Sequence, residues 1–245
     1  GIAVSSVLTG IVYLQEAGWQ WGWFASGALS LVGTLVVFLL LEPAAKSLAP
    51  SGREPPLPKS RPFWAMTLAY GVFGAGYVVT ATFLIAIVRA GNGGPQMEAG
   101  VWLVTGIAAF LSLHIWKIAA ARFGVIWAYV TACLIESFGV LASVTIPGAL
   151  GPLIGGALLG ATFMVITAYG LAAGRLSTPA TPRKALAVMT AAFGVGQVLA
   201  PIAAGYVAAW TGGFLVPSLG AAMLLLLSGA IAFWSGVDRT PSSTS

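Results

Sequence analysis

Eight apolar stretches follow one another along almost the whole chain, near 1–14, 19–41, 63–89, 99–120, 124–146, 150–174, 185–209 and 214–236. A hydrocarbon core of about 30 Å takes roughly 20 residues of helix at 1.5 Å each, and every stretch after the first meets that length. Hydrophobic residues make up 58% of the 245 and charged residues 7%, where an ordinary soluble domain carries roughly a quarter charged. These features predict an all-α membrane protein that crosses the bilayer repeatedly.

The net charge of +5 invites a nucleic-acid reading, but the placement of the charges excludes it. Lys46, Arg53, Lys59, Arg61, Lys117, Arg122, Arg175, Arg183, Lys184 and Arg239 all fall on one side of the membrane if the spans alternate. Only Arg89 falls on the other side, with Glu16 and Glu98. Such asymmetry is a topology signal. It makes the 43–62 loop and the C-terminus cytoplasmic; the membrane expected is the inner membrane of a bacterium. The partners it predicts are the lipid bilayer and small solutes, with no nucleic acid.

Residues 43–62 form the one long polar segment, and Pro43, Pro50, Pro55, Pro56, Pro58 and Pro62 make it an extended tether rather than a helix. It divides the chain into 1–42, with two spans, and 63–236, with six, followed by a cytoplasmic tail at 237–245. Gly1, Gly10, Gly18 and Trp19 recur at a shift of 195 as Gly196, Gly205, Gly213 and Phe214. If the first two spans repeat the last two, the unit is six helices, and two such halves joined by a cytoplasmic tether form a known transporter architecture. The first stretch is short and has no charged leader. The expectation is a fragment that starts inside a transmembrane helix, with N-terminal helices of the same chain missing.

Several segments carry a family resemblance. Tyr70-Gly71-Val72-Phe73-Gly74-Ala75-Gly76-Tyr77 with Ala81-Thr82-Phe83, and Phe193-Gly194-Val195-Gly196-Gln197 with Pro201, Gly205, Thr211-Gly212 and Phe214, resemble the YbfB-like branch of the major facilitator superfamily (MFS). The turn Ala121-Arg122-Phe123-Gly124 resembles the superfamily's cytoplasmic loop motif. Alanine stands where that motif usually has aspartate, which weakens the case for a charge latch at Arg122. The resemblance implies an MFS-type helical bundle, here about eight of twelve helices, and a solute carrier rather than an enzyme.

Glu136 lies near the middle of the 124–146 span, where a carboxylate costs roughly 2.5–3.5 kcal/mol on insertion scales and must face protein or a wet cavity. It is a candidate for proton coupling or cation recognition. The alternative is a neutral carboxyl bonded to a neighbouring helix, which the resemblance favours because the third helix of an MFS half usually lies outside the cavity. His114 carries an imidazole, a side chain type able to relay protons, and is a second proton-coupling candidate, or else a packing residue. Thr105 and Ser112 occupy another stripe of its helix. Tyr70 and Tyr77 share a stripe with Phe73 and Gly74. By resemblance their helix borders the central cavity, so both are substrate-binding candidates as well as aromatic packing. Gln197, on a stripe with Thr190, Phe193 and Pro201, joins substrate or neighbouring helices. Thr162 and Tyr169 form a weaker polar stripe, with Thr162 a further binding candidate.

Gly74-Ala75-Gly76 has no preceding strand and is not a dinucleotide fingerprint. One His, the lone Cys133 and one central carboxylate on separate spans supply no metal-ligand set, cofactor motif or hydrolase constellation. The function these residues favour is secondary transport by alternating access, driven by protons, of a neutral, amphipathic or cationic solute. An uncoupled channel or sensor is the alternative, with an intramembrane enzyme far behind.

Overall fold

The computed structural model describes residues 1–14, 19–41 and 54–237. The turn at 15–18, the first part of the tether (42–53) and the tail from 238 lie outside the described residues. Eight helices are described: α1 (Ile2–Leu14), α2 (Trp19–Leu40), α3 (Arg61–Ala90), α4 (Pro95–Phe123), α5 (Val125–Thr145), α6 (Leu150–Leu176), α7 (Pro182–Thr211) and α8 (Leu215–Ser235). Seven are long and apolar enough to cross a membrane, and α1 is shorter. The reason is local. Without water, backbone N–H and C=O groups must bond within their own segment, and a helix does this completely.

Proline and glycine set the ends. Prolines stand in the first turn of α3, α4 and α7, where the missing N–H costs nothing. Gly124, with φ +93° and ψ 162°, makes the abrupt turn from α4 to α5, in a region of backbone space open to glycine. Gly212 closes α7 in the left-handed conformation, an ordinary helix stop.

The helices carry large apolar side chains outward, among them Phe38, Phe110, Phe138 and Trp210, as lipid contact demands. Between helices, small residues allow close approach. α3 lies between α7 and α8, α5 packs on α6 and α8, and α4 packs on α6. Gly74 and Gly196 seat α7 against α3, Gly155 seats α6 against Ser143 of α5, and Gly160 seats α6 on the Thr105 backbone of α4. α1 runs antiparallel to α4, with Ala3 beside Gly106 and Gly10 beside Ala99.

Helix alternation gathers Lys59, Arg61, Lys117, Arg122, Arg175, Arg183 and Lys184 at one end of the bundle. At the other end Arg89 donates to both carboxylate oxygens of Glu98, at 2.7 and 2.8 Å. The described end of the tether docks at the basic end. The Glu54 carboxylate accepts the backbone N–H of Arg183 (3.1 Å) and of Lys184 (3.0 Å), the first turn of α7. Lys184 Nζ returns the contact, donating to the carbonyls of Glu54 (2.6 Å) and Pro55 (2.8 Å).

Candidate functional site

The close approach of α3 and α7 creates an aromatic wall. A Cβ on Gly74 would sit 2.7 Å from the Phe193 carbonyl, so only glycine lets Phe193 slide over the α3 rings. Tyr77 lies nearly parallel to Phe193 (centroids 5.6 Å, 10°) and to Phe163 of α6 (6.3 Å, 7°), and it stacks on Phe73 (5.1 Å). Tyr70 also stacks on Phe193, at 4.9 Å.

One polar pair crosses this wall. Gln197 Nε2 donates to Tyr77 Oη, and both side chains are half-buried. Pro201 lies within α7 and has no N–H to offer the carbonyl four residues earlier. That carbonyl belongs to Gln197. The same residue thus presents an amide side chain and a main-chain acceptor without its helical donor, near mid-span.

Glu136 lies behind the wall, 1% exposed. Its Oε2 is 2.9 Å from Thr162 Oγ1, while its Oε1 has no hydrogen-bond partner among the described residues. Thr162 Oγ1 is also 2.7 Å from the Leu158 carbonyl. A hydroxyl carries one proton and cannot donate to both. A carboxyl that donates to Thr162, which in turn donates to Leu158, satisfies both contacts. Thr162 and Phe163 are consecutive, so the partner of Glu136 adjoins the ring that stacks on Tyr77.

The candidates therefore separate into groups. Tyr77 and Gln197 are joined directly, and Tyr70 belongs to the same aromatic layer but is buried, 2% exposed. Thr162 points to Glu136. His114 lies on an exposed face of α4 beside Phe110, with ring centroids 6.3 Å apart, away from the other candidates. Thr105 and Ser112 are buried on another side of α4, bonded back to Val101 and Ala109. Arg122 is exposed, its guanidinium 5.5 Å from the centroid of Phe123, and no carboxylate among the described residues pairs with it.

Sequence reasoning did not single out one buried polar chain. Tyr129 of α5 meets Ser228 of α8 at 2.8 Å, and Ser228 Oγ donates to the Ala69 carbonyl of α3 at 2.8 Å. Ser228 directly follows the run Leu224-Leu225-Leu226-Leu227, and that lone hydroxyl in an apolar stretch is the available signal. A groove of about 670 Å³ opens elsewhere, between α1, α3 and α4 beside Arg89 and Glu98, and none of the candidates lines it.

Membrane-length helices joined at mid-span by hydrogen-bonded polar side chains define an integral membrane protein. The family model described as "Uncharacterised MFS-type transporter YbfB" matches residues 1–233. The chain belongs to that family of MFS transporters. No curated protein matches it.

Proposed function

We propose that the protein is a secondary active transporter that carries a small neutral, amphipathic or cationic solute by alternating access, driven by the proton gradient. In this reading α1 and α2 belong to one half of the transporter and α3 to α8 form the other, rocking around a midplane site. Further N-terminal helices of the same protein complete the first half. The basic end, with the tether and the C-terminus, faces the cytoplasm of a bacterial cell, following the positive-inside rule.

The observation that carries this reading is the Gln197–Tyr77 hydrogen bond across the α3–α7 contact. It is a neutral donor–acceptor pair framed by aromatic faces. It suits a solute with an apolar or cationic body and one or two hydrogen-bonding groups, since aromatic faces also attract cations. Among the described residues no Lys or Arg adjoins it to neutralise a multiply charged anion. Glu136 and Thr162 provide the proton site. Losing the proton leaves the Glu136 and Leu158 oxygens competing for one hydroxyl hydrogen, and that imbalance reaches the wall through Phe163.

The test is solute-dependent proton movement in proteoliposomes of the full-length protein, using a panel of small amphipathic and cationic solutes and an internal pH dye. Coupled acidification supports the reading. Solute flux with no proton movement and no response to a pH gradient identifies an uncoupled channel instead.

A further inference from the structure

At the basic end of the bundle α4 and α5 diverge after the Gly124 turn and leave two adjoining grooves. One, of about 640 Å³, runs between the helices past Trp116, Ala119, Trp127, Ala128 and Thr131; the other, of about 530 Å³, is a shallow, open depression on α4 beside Lys117, Ile118 and Ala121. Arg122 lines both grooves.

The walls are fixed before any ligand arrives. Trp116 Nε1 donates to the Ala161 carbonyl at 2.9 Å, which holds its indole against α6. Trp127 packs edge-to-face on Phe233, with centroids 5.3 Å apart. Preformed walls reduce the ordering cost of binding.

Among the described residues no carboxylate pairs with the charge at the rim. The described residues include three carboxylates, and each is engaged elsewhere: Glu98 with Arg89, Glu54 with the start of α7, and Glu136 with Thr162. Arg122 and Lys117 have no ion pair among the described residues. A guanidinium flanked by two apolar grooves calls for a ligand with one anionic group and two apolar tails.

We propose that this place binds an anionic phospholipid, with its phosphate at Arg122 and Lys117 and one acyl chain in each groove. Basic pockets between transmembrane helices recognise lipid headgroups in this way, and each cation near an anionic surface is worth about fivefold in affinity. The two indoles suit the depth where acyl chains meet headgroups. The acyl grooves distinguish this ligand from a free phosphate ion, which would use the cations alone.

The experiment is native mass spectrometry of the full-length protein in mild detergent. The probes are a phosphatidylglycerol, a phosphatidylcholine with the same acyl chains, and inorganic phosphate. The expected result is retention of phosphatidylglycerol over phosphatidylcholine, reduced about fivefold by Arg122→Gln and largely kept in Arg122→Lys. Trp127→Ala should reduce retention of both lipids. Equal retention of the two lipids by the unaltered protein would overturn the proposal. So would unchanged retention in Arg122→Gln, equal loss in Arg122→Lys and Arg122→Gln, or full displacement of the lipid by inorganic phosphate.

Discussion

Thr162 Oγ1 stands 2.9 Å from one carboxyl oxygen of Glu136 and 2.7 Å from the Leu158 carbonyl, placing two acceptors around a single hydroxyl proton. Whether Glu136 holds its own proton decides whether both contacts can be made. This geometry, at a residue 1% exposed in mid-span, underlies the proton site proposed above.

Glu136→Gln keeps a donor and the shape of the side chain but cannot release a proton. The expected outcome is a normally folded protein in which solute-driven proton movement falls at least about tenfold, since positioned proton-transfer groups are commonly worth more than that. Dye-reported proton flux beside solute uptake in the same proteoliposomes checks it. Unchanged co-movement of both would remove Glu136 from the mechanism.

Tyr77→Phe removes the acceptor of Gln197, and Gln197→Ala removes the donor. Each should weaken solute affinity by about two- to tenfold, the range of a net hydrogen bond of about 0.5–1.5 kcal/mol, while membrane abundance stays near normal. Parallel loss of abundance and affinity would mark the pair as helix glue.

Gly74→Ala should destabilise the bundle. The added Cβ would lie 2.7 Å from the Phe193 carbonyl and 2.8 Å from its ring, so α7 must move away from α3. Overpacking of this kind costs about 1–3 kcal/mol and should appear as earlier thermal unfolding in detergent. Gly27→Ala, at a position with nothing within 4 Å, is the control and should leave the transition in place.

Glu54 predicts a pH dependence at the basic end. Desolvation opposes its charge, but the backbone N–H groups of Lys184 and Arg183 and their positive side chains prevail and hold the carboxyl below its ordinary 4.5. The docking therefore contributes fully above about pH 4.5 and is lost as pH falls through the lowered value. Amide exchange at Arg183 and Lys184, compared at equal intrinsic rate, should accelerate below that range and in Glu54→Gln at neutral pH. Identical protection in Glu54→Gln would show that the tether is held by other contacts.

Much of the molecule was legible beforehand because the bilayer imposes strict rules on a chain. The seven later spans agree with α2–α8 to within a few residues, since hydrophobic length and the Pro and Gly breaks act locally. The aromatic stripe from Tyr70 through Phe73 to Tyr77 and the central position of Gln197 also follow from helical spacing. Partnership across helices does not. Nothing local joins Gln197 to Tyr77, 120 residues apart, or Glu136 to Thr162, 26 apart.

The division has a physical cause. A helix that is apolar on all sides has no polar face to announce which side meets protein and which meets lipid. Its existence and length are therefore written in the chain, along with the sidedness of its charges. Its rotation is chosen by where glycines admit a neighbour, as Gly74 admits Phe193. That choice buried Glu136, left His114 facing outward and brought the Glu54 carboxylate to the start of α7. Tertiary packing alone determined those outcomes, because the close contacts that decide them lie between helices.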